Sequence, residues 1–238
     1  MAKERLDKLI ASTGRWSRRE VKTLVREGRV LVDGRIAGSA EEKYDAESCC
    51  IAVNGEELVL RRYTYVMLHK PAGVLSATED GRGRTVLDLL TPELRKIGVF
   101  PVGRLDKDTE GLLLLTDDGE LAHALLSPKK HVDKVYYARV SGRLTPEDCA
   151  AFEAGMTLGD ELECLPAGLE ILAAGETSEC LVTLREGKFH QVKRMLAARG
   201  KPVTYLKRLS MGSLRLDDTL APGEFRLLTA AEEAQLQR

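Results

Sequence analysis

Apolar residues recur with helical spacing twice near the N-terminus, at Leu6, Leu9 and Ile10 and again at Val21, Leu24 and Val25, so each set lies along one helix face. Ser17 precedes the second run with Glu20 three residues on, the spacing of a capping box. Two short helices are predicted, over residues 5–10 and 17–25. Gly28 ends the second, and Arg29-Val30-Leu31-Val32 reads as a strand turning at Asp33-Gly34 into a further strand through Arg35-Ile36. Asn54-Gly55 marks the turn of another hairpin, and the pattern shifts again at Arg61-Arg62. That shift sets an expected domain boundary near Leu60.

Beyond it the strand signals dominate. Tyr65-Val66-Met67-Leu68-His69 is a predicted strand that runs into Lys70-Pro71-Ala72-Gly73, where proline and glycine force a turn. Leu112 to Thr116 is too apolar and too short for anything but a buried strand, closed by Asp117-Asp118-Gly119. A helix is predicted over residues 120–126, strands over 135–140, 180–184 and 202–206, and a helix over 191–199 stopped by Gly200. Strands with a few interleaved helices argue an α+β fold with a mixed, largely antiparallel sheet.

Composition adds limits. A chain of 238 residues can bury a sizeable core, and no apolar run approaches the length needed to span a bilayer. The charged start of the chain lacks the apolar core of a secretory signal, so a cytoplasmic location and no membrane partner are expected. Cys49, Cys50, Cys149, Cys164 and Cys180 show no CxxC spacing, which points to neither a disulfide framework nor a zinc site.

The net charge of −1 conceals an uneven distribution, for the chain up to Ile36 carries ten basic against five acidic residues. Phosphate backbones attract such clusters through counterion release. The plainer reading of a charge run is a solvated helix face. Here the cations lie on the predicted helix pair and at the turn into the first strand, among them Arg5, Lys8, Arg15, Arg18, Arg19, Lys22 and Arg29. The order Arg5-Leu6-Asp7-Lys8-Leu9-Ile10, Ser17-Arg18-Arg19-Glu20-Val21, Gly28-Arg29-Val30-Leu31-Val32-Asp33-Gly34 resembles the S4 RNA-binding module. The resemblance implies that these cations grip structured RNA by shape and phosphate contacts.

The stretch Gly103-Arg104-Leu105-Asp106-Lys107-Asp108-Thr109-Glu110-Gly111, followed by the apolar run, sets a carboxylate beside a basic residue. It resembles the signature of the ribosomal small-subunit pseudouridine synthase family, whose catalytic aspartate falls on Asp106. The resemblance implies residues 1–60 as an S4-like domain and residues 61–238 as a catalytic domain with a curved sheet and a central cleft. It further implies that the strand leading into Lys-Pro-x-Gly opens the catalytic domain, and Lys70 there is a candidate phosphate contact. Isomerising uridine breaks the N1–C1′ bond, turns the base and rejoins it through C5, so neither metal nor cofactor is expected. One ionised carboxylate suffices, provided a cation keeps it charged and water is excluded. Whether it attacks C6, attacks C1′ or removes a ribose proton stays open.

Gly187-Lys188-Phe189-His190-Gln191-Val192-Lys193-Arg194-Met195 resembles the family's Gly-x-x-His-Gln-Val-basic-Arg-Met motif, which makes Lys193 the implied partner of Asp106, with His190 and Gln191 in support. Arginine is commoner there, and lysine keeps the charge without the bidentate fork. Tyr136 matches the tyrosine that lies over the target base, where a flipped nucleotide needs a replacement π-face. Arg104 matches the residue that fills the space the uridine leaves.

Asp117-Asp118-Gly119 and the stretch Ser127-Pro128-Lys129-Lys130-His131 to Tyr136 resemble the small-subunit branch, implying 16S rRNA or an assembling small-subunit particle as partner. A 23S rRNA synthase of the same family is the alternative, and a non-catalytic RNA-binding assembly protein is one of another class. Asp106-Lys107-Asp108-Thr109 also fits the DxDxT motif of magnesium-dependent phosphatases, with Asp217-Asp218 as the late acidic pair. One active site within one chain is consistent with a monomer.

Overall fold

In the computed structural model, which describes residues 3–46, 48–127, 130–159 and 161–236, the Ser17–Glu20 capping box closes in both directions. The Glu20 amide donates to Ser17 Oγ at 3.3 Å and the Ser17 amide donates to the Glu20 carboxylate at 2.7 Å. This box starts α2 (Arg18–Arg26), which packs on α1 (Leu6–Ala11). Strands β1 (Val30–Val32), β2 (Arg35–Ile36), β3 (Ile51–Val53) and β4 (Glu56–Glu57) form a sheet in the order β2-β1-β3-β4. Asp33-Gly34 and Asn54-Gly55 all take positive φ, as tight two-residue hairpins require. Leu6, Ile10, Val21, Val30 and Ile51 are fully buried between helices and sheet.

The chain divides into two compact units. The first runs to Thr64 and also takes in Leu90–Val99, and the second comprises Tyr65–Leu89 and the chain from Phe100 onward. The inserted piece holds α3 (Pro92–Ile97), capped by Thr91 with proline in its first turn and ended by Gly98 at φ 87°. Gly14 makes room for it, because a Cβ there would stand 2.2 Å from the Glu93 carbonyl oxygen. Thr91-Pro92 is thus a helix start signal, in a segment for which no helix was expected.

In the second unit β5 (Tyr65–Lys70), β6 (Glu110–Thr116), β7 (Lys134–Ser141), β8 (Gly168–Ala173), β9 (Thr177–Leu184), β10 (Val203–Met211) and β11 (Phe225–Leu227) run in the order β8-β9-β7-β10-β6-β5-β11. Neighbours on this path are antiparallel except β10 and β6, which pair in parallel, so the sheet is mixed and the fold α+β. Leu112, Leu113, Leu114 and Leu115 are all fully buried, which is why this strand reads as an unbroken apolar run. Helices α4 (Gly119–Leu126), α5 (Pro146–Ala154), α6 (Gln191–Ala198) and α7 (Ala230–Leu236) complete the unit. Val192, Met195 and Leu196 of α6 and Phe152 of α5 join Ala138, Val140, Val182 and Leu184 of the sheet in one core.

Asp118 caps α4 by accepting from the Leu121 amide, and it also accepts from the Tyr65 hydroxyl at 2.7 Å. Near the C-terminus Arg226 donates to Asp217 at 2.6 Å and to Glu232 at 2.8 Å. Hydrogen bonds from Thr219 and Arg226 hold Asp217 at about 2, and Arg226 does the same for Glu232.

Candidate active site

Asp106 stands on a tight turn just before β6, where the Thr109 amide donates to the Asp106 carbonyl at 3.1 Å. The loop that follows β5 clamps this turn. Lys70 Nζ donates to the carbonyls of Pro71, Lys107 and Thr109 at 3.0, 3.2 and 2.9 Å, and the Gly73 amide donates to the Lys107 carbonyl at 2.7 Å. Ser76 Oγ accepts from the Leu105 amide and donates to the Leu105 carbonyl. Lys70 and Gly73 on one side and Ser76 on the other therefore fix the aspartate's backbone from both sides.

This corrects one expectation. Lys70 is fully buried, its ammonium spent on backbone carbonyls, so it is not a phosphate contact. Burial pushes it down to about 8 against the pull of Asp108, Asp106 and Glu110. Sequence showed a lysine before a turn; it did not show that residues 107–109 return to cover it.

The carboxylate of Asp106 faces the first turn of α6. Lys193 Nζ lies 3.0 Å from Asp106 Oδ2 and 2.5 Å from Asp108 Oδ1, and His190 Nε2 lies 3.5 Å from Asp106 Oδ1. Burial alone would depress the Lys193 ammonium, but its hydrogen bonds to Asp108 and Asp106 outweigh this and hold it above the ordinary lysine value. The same pairing holds Asp108 below the usual carboxylate range. His190, at φ 50°, is the N-cap of α6 and stacks on Phe189 with ring centroids 3.8 Å apart. Gln191 is buried, its amide donating to Glu186 at 2.6 Å while its carbonyl accepts from the Lys188 amide, so it braces the loop that precedes α6.

An open cleft beside Asp106 is lined by Arg104, Thr109, Tyr136, His190 and Gln191 over an apolar bed of Leu105, Leu184, Val192 and Leu206. Lys193 is not in this lining; it holds Asp106 from the α6 side. Arg104 is exposed at the rim. Tyr136 is buried in the lining, whereas Tyr137 projects to the opposite face of the sheet, edge-on to Tyr205 and accepting from Arg139 at 3.0 Å. The structure thus brings Asp106, Arg104, Tyr136, His190 and Gln191 together around one cleft, with Lys193 behind it.

Sequence reasoning missed Ser76, the bracing role of Lys70, and Thr109, which sat inside the recognised signature without a role. It also missed Arg208, opposite Tyr136 on β10, which is 2% exposed and donates from Nε to the Leu112 carbonyl at 2.8 Å. No ion pair marked it, and only the register of the strands places it there. Pro128 and Lys129, part of the stretch read for the branch, lie outside the described residues.

The cations of the first unit are spread over its surface and engage its own carboxylates. Arg5 and Arg18 donate to Asp7, Lys22 and Arg5 to Glu41, Lys8 to Glu4, Arg15 to Glu56, and Arg29 to Glu27 and Asn54. Arg15 also lies over the Trp16 ring, 4.7 Å from its centroid. Arg19 is exposed.

Residues 64–198 match the RNA pseudouridylate synthase family and residues 4–48 match the S4 domain. The chain belongs to the RNA pseudouridylate synthase family, a class of isomerases, and carries an N-terminal S4 domain. It is 50% identical to an uncharacterised RNA pseudouridine synthase, YtzG, of Bacillus subtilis, with 96% of each chain covered. Ribosomal small subunit pseudouridine synthase A of Vibrio cholerae is 40% identical over 98% of this chain and 99% of its own. Ribosomal large subunit pseudouridine synthase B of Bacillus subtilis is 39% identical over 98% of this chain and 96% of its own. A crystal structure of a pseudouridylate synthase superposes with a TM-score of 0.68 at 35% identity, covering 98% and 99% of the two chains. Membership in this family sets aside the phosphatase reading. Among the described residues no group of three or more potential metal ligands gathers, and Asp217 is engaged by Thr219 and Arg226. Nor is any described helix long and apolar enough to cross a membrane.

Proposed function

We propose that the protein converts one uridine of small-subunit 16S ribosomal RNA to pseudouridine, with Asp106 as the catalytic carboxylate. The observation that carries this reading is the Asp106–Lys193 pair at 3.0 Å beside a cleft that also presents Tyr136. A cation at that distance stabilises negative charge on the group that must attack or take a proton. The apolar bed excludes water from the base while the glycosidic bond is open. Tyr136 supplies the stacking surface for the extruded uracil, and Arg104 at the rim occupies the gap left in the RNA.

The S4 domain grips the RNA backbone through Arg5, Lys8, Arg15, Arg18, Arg19, Lys22 and Arg29, and the catalytic domain chooses the uridine. All the proposed cleft residues come from one chain, so a monomer suffices, and a ribosomal RNA substrate puts the enzyme in the cytoplasm. The branch assignment leans on the small-subunit relative and on the Asp117-Asp118-Gly119 turn. A large-subunit relative of nearly equal identity makes the RNA itself the test.

Carbodiimide mapping of unmodified 16S and 23S RNA, and of small-subunit assembly intermediates, after incubation with the protein in EDTA decides the matter. One new pseudouridine in small-subunit RNA is expected, absent with Asp106→Asn. A new site only in 23S RNA would overturn the branch, and binding without product on every substrate would favour a non-catalytic assembly protein.

A further inference from the structure

Thr109 lines the cleft beside Asp106 and Tyr136, yet it is only 1% exposed. Its Oγ1 is buried without a hydrogen-bond partner among the described residues. Such a hydroxyl is costly, since it gives up its water without a replacement. Valine has nearly the same shape, suits the entry into β6 as well, and would carry no such cost. The turn itself does not need the hydroxyl, because it is held by the Thr109 amide and carbonyl, which bond Asp106 and Lys70. A partner that arrives with the ligand would satisfy the hydroxyl.

We propose that Thr109 is a substrate-contacting residue whose hydroxyl bonds a carbonyl edge of the flipped uracil. Depth selects the base over the phosphate. The phosphates of a bound strand meet exposed groups at the rim such as Arg104, whereas Thr109 shares the cleft lining with Tyr136 and the leucine bed, where a base would sit, and a turn about its χ1 would bring the buried hydroxyl to that base. A hydroxyl also fits a reaction in which the ring turns. It rotates about one bond and both donates and accepts, so it can follow the base from its N1-linked to its C5-linked orientation. This inference rests on the reading of the cleft as the place where uridine is isomerised.

The test compares wild type, Thr109→Val and Thr109→Ser in single-turnover pseudouridine formation on the substrate RNA, with RNA affinity and melting temperature measured alongside. Thr109→Val is expected to lower the rate about ten- to a hundredfold, with affinity unchanged and melting temperature equal or higher, while Thr109→Ser retains most of the rate. RNA carrying 2-thiouridine or 4-thiouridine at the target position identifies the contacted carbonyl. One of these should slow wild type and Thr109→Ser but add nothing to the defect of Thr109→Val. Undiminished turnover by Thr109→Val, or no penalty from either thio substitution in wild type, would overturn the contact while leaving the isomerase reading intact. Absence of product with wild type would overturn both.

Discussion

Lysine and arginine meet aspartate and glutamate in both units of this protein, to different effect. In the S4 domain Asp7 is fully buried and receives the guanidinium groups of Arg5 and Arg18, whose own side chains remain 34% and 53% exposed. Burial works to raise Asp7, and the two arginines more than reverse it. Lys8, Lys22 and Arg29 instead pair with carboxylates that are themselves exposed, so an RNA phosphate can take those cations over at little cost, whereas Arg5 and Arg18 also neutralise a carboxylate held out of water. In the cleft Lys193 is less exposed and is held between Asp106 and Asp108. That cation is committed to one geometry. Exposure, more than the type of pair, distinguishes the cations proposed to meet RNA from the one beside Asp106.

Lys193→Gln removes the committed charge and should lower the rate of pseudouridine formation by about a hundredfold, with RNA affinity nearly intact. Lys193→Arg keeps the charge and should recover most of the loss in the same single-turnover assay. The double change Arg18→Ala and Arg19→Ala should do the reverse. Binding weakens by about tenfold at moderate salt and the slope of log affinity against log salt falls by about one to two units, while the rate at saturating protein is preserved. An unchanged salt slope in a filter-binding titration would remove these two residues from the interface.

The smallest effect is one of acid stability. Asp217 and Glu232 sit at about 2, against ordinary values of 3.8 and 4.5, because Arg226 and Thr219 bond their ionised forms. Their folded values are depressed, so the stabilisation is fully present above the ordinary values and is lost as pH falls from there toward 2. Melting temperature followed over that range should therefore drop more steeply in wild type than in Arg226→Ala. Parallel curves would show that the network contributes nothing.

Much of the fold was legible because local signals and tertiary demands agree. Ser17 with Glu20 fixed the start of a helix, Asp33-Gly34 and Asn54-Gly55 fixed two turns, and the unbroken leucines before Thr116 announced a strand buried on both faces. Helices α3 and α5 escaped notice despite Thr91-Pro92 and Thr145-Pro146, since neither carries a strong apolar stripe. Most of the cleft followed from the resemblance. What a string of residues could not show was pairing at a distance. Lys70 looked available for phosphate until the Lys107 and Thr109 carbonyls closed over it, and the unmet hydroxyl of Thr109 exists only once the turn is folded.

The most direct test of this division of labour is to measure rate and RNA affinity together for Asp106→Asn. Product formation should fall by at least about a thousandfold while the dissociation constant and its salt dependence match wild type. Substantial product from this variant, or a loss explained by weakened binding, would contradict the claim that Asp106 reacts in the cleft while the S4 domain holds the RNA.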